Sequence, residues 1–275
     1  MLVKNLKLSC LNRKGARYHW CLLGNAWVFL TRFPFPFKIS YHHRLLNRAS
    51  VYFPVVGMLL GILGVAVLFL ALALFKSELL AVISLILFSV YATGAFHEDG
   101  FADCCDALGG GYSKQQVLEI MKDSRLGTYG TIGLIGVLAV KLSALWQIAI
   151  NSMAVCCSVY VITQAFSRWL PLLMIRYMEY VRFEGKAKPV AKGVSLKGLV
   201  CSLAFTLILA LAILPISGLS LFVLLMMLLC GLLSAAFIAG KLKKAVGGYT
   251  GDGLGAAQQF SEVVMYLSIV ALLVQ

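Results

Sequence analysis

The chain has 275 residues, 61% of them hydrophobic and only 13% charged, with a mean hydropathy of +0.91. A soluble domain is about half apolar, so this composition excludes one and places the chain in lipid. Lys and Arg outnumber Asp and Glu by 24 to 11, a formal charge of +13; with no aromatic-interleaved nucleic-acid motif beside it, that excess reads as membrane topology and attraction to anionic headgroups, with no nucleic acid as partner.

The apolar run at about 20–30 is too short to cross a bilayer and ends in Thr31-Arg32-Phe33-Pro34-Phe35-Pro36, whose prolines stop a helix. It is expected to be a short interfacial or re-entrant helix, and without a small-residue cleavage site it is not read as a removed signal peptide. Runs near the ~20 residues that a span requires follow at about 51–75, 79–96, 128–150, 152–175, 199–216 and 218–239, with a shorter one at 260–274. The expected fold is an all-α integral membrane protein with about seven transmembrane helices, the N-terminal interfacial helix and loop helices, forming a single domain over 1–275.

The cations set the orientation. Residues 1–50 hold nine of them, 97–127 three, 176–198 six and 240–259 three, against Lys76 alone on the other side. Short cytoplasmic loops are enriched in Lys and Arg, so these four segments are expected in the cytoplasm, the amino terminus inside and the carboxyl terminus outside. Lys141 and Arg168 fall within spans, where a charge usually pairs inside the bundle or marks a cavity, with snorkelling as the plainer alternative. Either is read as balancing the carboxylate cluster or contacting a phosphate.

Between Glu98 and Asp123 stand six of the eleven carboxylates. On a helix, Asp99, Asp103 and Asp106 follow an i, i+4, i+7 pattern that lines one face. Like charges so close repel, and a divalent metal relieves them; oxygen-only ligands favour Mg²⁺, with Mn²⁺ as the alternative, usually shared with the phosphates of a substrate. Gly109-Gly110-Gly111 makes a turn, and Ser113-Lys114-Gln115-Gln116 has capping-box spacing for an amphipathic helix running to about Ser124. Lys122, Ser124 and Arg125 beside Asp123 suit a phosphate ester bridged to a metal, or form only a solvated loop. Glycines 127, 130, 133 and 136 offer a small face for tight helix packing. Further on, Gly247-Gly248-Tyr249-Thr250-Gly251-Asp252-Gly253 sets one carboxylate among glycines whose backbone can approach phosphate, and Asp252 is read as completing a metal shell. Glu262 is read as either a supporting partner or an interface residue. The cysteines, at 10, 21, 104, 105, 156, 157, 201 and 230, form no CxxC pair and are read as buried hydrophobes; a zinc site from His97, Cys104, Cys105 and Asp106 fits no common spacing.

Three motifs together, His97-x-Asp99-Gly100-x-x-Asp103-x-x-Asp106, Ile120-Met121-Lys122-Asp123-Ser124-Arg125-x-Gly127-Thr128-Tyr129-Gly130 and Gly248-x-Thr250-Gly251-Asp252-x-Leu254-Gly255-Ala256, resemble those of the cobalamin synthase family, as do Thr31-Arg32-Phe33-Pro34 and Tyr52-Phe53-Pro54-Val55-Val56-Gly57. The resemblance covers about 31–265. It implies a multi-pass enzyme of the inner membrane with a cytoplasmic-face site. Such an enzyme transfers the adenosylcobinamide phosphate moiety of adenosylcobinamide-GDP to α-ribazole or α-ribazole 5′-phosphate, releasing GMP, with Mg²⁺ assistance. On this reading Asp99, Asp103, Asp106 and Asp252 hold metal, Lys122 and Arg125 neutralise the leaving phosphate, His97 or Asp123 takes the attacking proton, and Arg32, Lys114, Ser124, Thr250 and Arg168 contact substrate. Glu98, where the family often has an apolar residue, receives no ligand role. Arg182-Phe183-Glu184-Gly185 departs from the family's Arg-Pro-bearing stretch. Two other readings stay open, a CDP-alcohol phosphotransferase, whose arginine after the first aspartate is missing here, and a transporter; a homo-oligomer is also left open.

Overall fold

A computed structural model describes residues 15–39, 41–42, 45–181 and 193–273. The helices are α1 (Ala16–Leu30), α2 (Leu46–Ala49), α3 (Phe53–Phe75), α4 (Glu78–Thr93), α5 (Phe96–Gly110), α6 (Lys114–Ile120), α7 (Thr128–Asn151), α8 (Met153–Trp169), α9 (Pro171–Tyr177), α10 (Leu196–Ser217), α11 (Leu221–Val246) and α12 (Gly251–Leu273). Among the described residues the one strand-like feature is a bridge between Tyr180 and Tyr249. The expectation of an all-α membrane protein holds.

Serines start the helices. Ser77, Ser113, Ser152, Ser195 and Ser220 each accept a hydrogen bond from the backbone N–H three residues on, satisfying a donor that the first turn leaves bare. α1 ends at Thr31, before the prolines, as expected of the short N-terminal helix. The helix after Ser113 stops at Ile120, short of Ser124; its capping box is half made, because the Gln116 side chain accepts from Tyr112 N–H instead of reaching back to Ser113.

Close packing is built on small residues. α3 lies against α8 through Gly57, Gly61 and Gly64; a Cβ on Gly61 would stand 3.0 Å from Val161 Cα, so side chains larger than hydrogen would part the helices. The glycine face expected on α7 also exists in part: Gly130 and Gly133 meet the side chains of Asp106 and Cys105 on α5, whereas Gly136 faces open space. α12 is the hub, touching α5, α7, α8, α9 and α11.

By length and apolarity five helices can cross a membrane, or six if α4 and α5 form one broken span. The seven expected crossings are therefore not all reached. The run at 79–96 is broken where Gly94 and Ala95 take consecutive left-handed conformations (φ 67° and 57°), bending α4 and α5 by 88°. The run at 260–274 falls, as far as Leu273, in the longer α12, whose Gln258, Gln259 and Glu262 are buried within the bundle rather than turned to lipid. One bent pair among the described residues is not the paired broken helices in two halves that a transporter would show.

Candidate active site

The 88° bend turns α5 against the first turns of α7 and α12. α5 and α12 meet through glycines at both contact points. A Cβ on Gly100 would stand 2.9 Å from the Cα and carbonyl oxygen of Asp252, and one on Gly255 would stand 3.1 Å from the His97 carbonyl oxygen. Nothing larger than glycine lets the backbones so close, and the consequence is that Asp252 sits beside the turn carrying Asp99 and Asp103. Asp99 is exposed; Asp103 and Asp252 are half-buried.

Asp106, predicted as a metal ligand on the same face, has another task. Its Oδ2 accepts from Gly127 N–H and its Oδ1 from Gly130 N–H, both at 2.8 Å. It caps α7 from a neighbouring helix, its charge placed at the positive end of that helix dipole. Among the described residues no three His, Cys, Asp or Glu side chains are gathered tightly enough to hold a metal by themselves. The donor set of Asp99, Asp103 and Asp252 still suits a partly hydrated Mg²⁺, which takes one or two carboxylates and leaves its other positions to water and substrate phosphates.

Thr250, predicted to touch substrate, is fully buried. Its hydroxyl accepts from Gly253 N–H at 3.1 Å, capping α12, and lies 3.6 Å from Met121 Sδ. It is a structural cap. The contact with Met121 nevertheless matters, because it ties the loop bearing Lys122, Asp123, Ser124 and Arg125 to the turn bearing Asp252, while Asp106 ties the far end of that loop to α5. Lys122, Ser124 and Arg125 are exposed. Arg125 grips Asp123, with Nη2 to Oδ2 at 2.6 Å, and this holds the Asp123 carboxyl down at about 2. While Arg125 holds it, an acid that strong is a poor general base.

Arg32 lies over Gly94 at the bend and donates its backbone N–H to Ala92 O at 2.8 Å; Lys114 extends toward Gly247, the C-cap of α11. On the chain after α9, Tyr249 N–H donates to Glu179 O and Val181 N–H to Tyr249 O, stitching that segment to the start of α12. Described parts of the segments at 97–127, 176–198 and 240–259 thus touch one another, and Arg32 of the first segment lies at the bend before α5. Arg44 and the Arg182-Phe183-Glu184-Gly185 stretch lie outside the described residues.

Behind this rim is a buried polar network that the sequence only partly announces. Lys141 Nζ pairs with Glu262 Oε1 at 3.2 Å and donates to Gln259 Oε1 at 2.8 Å. Glu262 also accepts from Gln164 at 2.7 Å, Gln258 at 2.7 Å and Tyr266 at 3.1 Å, and Gln259 donates to Glu98 at 3.0 Å. Neither Lys141 nor Glu262 snorkels; both are buried, and each supports the other. The three glutamines were missed, although amides at helical spacing inside apolar runs are a signal of buried pairing. Arg168 is buried too, donating through Nη1 to both Gln164 oxygens, its Nε without a hydrogen-bond partner. With His97, whose Nδ1 is likewise unpartnered, it lines a narrow cleft between α5, α9 and α12.

The helices and this rim define a multi-pass membrane protein with a carboxylate-rich polar site at one end of its bundle. A family model described as cobalamin-5-phosphate synthase matches residues 22–270, and the chain belongs to that family, one of transferases in cobalamin synthesis. Curated relatives named adenosylcobinamide-GDP ribazoletransferase include one from Leptothrix cholodnii, 38% identical over 90% of this chain and 93% of its own length. Others come from Shewanella frigidimarina, 38% identical over 90% and 92%, and from Ralstonia pickettii, 35% identical over 93% and 97%. No solved structure matches the chain.

Proposed function

We propose that this chain transfers the adenosylcobinamide phosphate moiety of adenosylcobinamide-GDP to a hydroxyl of α-ribazole or its 5′-phosphate, releasing GMP, at the cytoplasmic face of the inner membrane. The observation that carries the reading is the glycine-mediated contact of Gly100 with Asp252, which sets three carboxylates beside a Lys- and Arg-bearing loop at one end of a membrane bundle. Asp99, Asp103 and Asp252 would hold Mg²⁺, which supplies charge neutralisation on the pyrophosphate oxygens. Lys122 and Arg125 are free to swing toward the leaving phosphate from an exposed loop, and Arg125 exchanges its Asp123 partner for phosphate oxygen. His97 Nδ1, buried and unpartnered, takes the proton of the attacking hydroxyl as the new oxygen–phosphorus bond forms and the bond to GMP breaks. The cation-rich segments sharing this end of the bundle support the cytoplasmic assignment.

Purified protein in lipid should release GMP only when adenosylcobinamide-GDP, α-ribazole and Mg²⁺ are all present. GMP release that ignores α-ribazole contradicts the transfer reading, and near-normal turnover by His97→Ala contradicts the proton assignment.

A further inference from the structure

The cleft beside the acidic rim has an unusual wall. Phe29 and Phe53 stack with centroids 5.7 Å apart, Phe96 meets Phe29 edge-on at 5.5 Å, and His97 meets Phe96 edge-on at 5.4 Å. Ile175 and Pro171 of α9 and Leu254 of α12 face the same cleft. Its polar end is Arg168. Arg168 is 3% exposed, its guanidinium has no carboxylate within 4 Å among the described residues, and its Nε–H is left without an acceptor. Burying a donor, above all a charged one, without a partner is costly, so an acceptor arriving in the cleft gains what the empty arrangement lacks.

From these groups we infer that the cleft is the subsite for the heterocyclic base of the acceptor nucleoside, the Phe29–Phe53–Phe96 cluster holding the ring faces and Arg168 Nε–H donating to the bare ring nitrogen. The inference rests on the transfer reading above and deepens it. A benzimidazole base is flat and largely apolar, with one unsubstituted ring nitrogen as its acceptor, which matches a wall of aromatic and aliphatic carbon where Arg168 Nε–H lacks an acceptor, beside His97 and the already bonded Gln258. Guanine, the other base in the reaction, presents several donors and acceptors that this wall would leave unpaired. The position also suits the chemistry. Gly251 and Gly255 line the cleft on the turn that carries Asp252, so a base seated there directs its ribose toward the rim where the phosphoryl group is transferred.

Two measurements test this. Equilibrium binding of α-ribazole alone to the wild-type protein in lipid, compared with the riboside of 5,6-dimethylindole, in which CH replaces the bare nitrogen, should show at least about ten-fold weaker binding of the indole, the loss expected when a buried donor goes unpaired. Equal binding of the two overturns the Arg168 contact. In steady-state turnover, Ile175→Trp, which fills the cleft, should raise KM for α-ribazole about ten-fold or more while leaving KM for adenosylcobinamide-GDP within two-fold, by the same affinity arithmetic. A rise confined to adenosylcobinamide-GDP, or no rise in a folded variant, overturns the subsite. Because binding is read without the second substrate, a protein that binds α-ribazole selectively yet never releases GMP refutes the transfer reading and leaves the subsite standing.

Discussion

The same two helices, α5 and α12, carry polar residues of opposite character. Deep in the bundle, Glu98 of α5 and Gln258, Gln259 and Glu262 of α12 share hydrogen bonds with one another, with Lys141 of α7 and with Gln164 of α8, and Lys141 and Glu262 cancel each other's charge. At the rim, Asp99 and Asp103 share α5 with Gly100, against which the Asp252 backbone packs, and Asp99 is open to water. Charge inside a membrane protein is tolerable when it is paired. Like charge left side by side is tolerable only where water, a metal or a substrate can reach it. The first region holds the helices in register, and the second is where we propose that the chemistry takes place.

Perturbing each region separately should produce different failures. Glu262→Ala leaves Lys141 buried and unpaired and should cost about 3–5 kcal/mol, seen as lost thermal resistance in detergent, whereas the apolar double replacement Lys141→Met with Glu262→Leu should recover most of it. Asp99→Asn should keep the fold and lower turnover about 10²–10³-fold, the scale of removing one partner of transition-state charge. Gly100→Ala forces a Cβ to within 2.9 Å of the Asp252 backbone; it should lower kcat about ten-fold or more by shifting α5 from α12, since displacements near 1 Å cost up to about 10²-fold. Asp106→Ala removes the two N–H bonds that start α7 and should cost about 1–2 kcal/mol of stability, the range for a lost cap. The smallest effect belongs to Asp123. Its carboxyl is held at about 2, below the ordinary carboxylate range, so its pair with Arg125 is present above that range and is lost only as pH falls toward 2. Turnover between pH 5 and 9 should therefore have the same profile shape in Asp123→Asn as in the wild type.

Much of this was readable beforehand, and the reasons are physical. Long apolar runs force helices, and the cation bias of four segments is a topology signal that sequence alone supplies. The aspartate spacing gave the acidic face of α5. What spacing does not encode is which neighbour a side chain meets: Asp106 and Thr250 looked like ligands because their motifs are polar and glycine-rich, yet each turned out to cap a helix start. Hydropathy also treats 260–274 as a separate span, because averaging cannot see that Gln258, Gln259 and Glu262 find partners on α5, α7 and α8. The glycine face of α3, which seats it on α8, was equally silent without knowledge of that partner helix.

The central claim is that Asp99 and Asp252, 153 positions apart in sequence, act as one unit on the transferred phosphate. A double-variant cycle of Asp99→Asn and Asp252→Asn, read as the rate of GMP release in lipid at saturating Mg²⁺, addresses it most directly. If they act together, the double variant is scarcely slower than the worse single one, as for groups that share one catalytic task. Losses that multiply, or an Asp252→Asn variant as fast as the wild type, contradict the account.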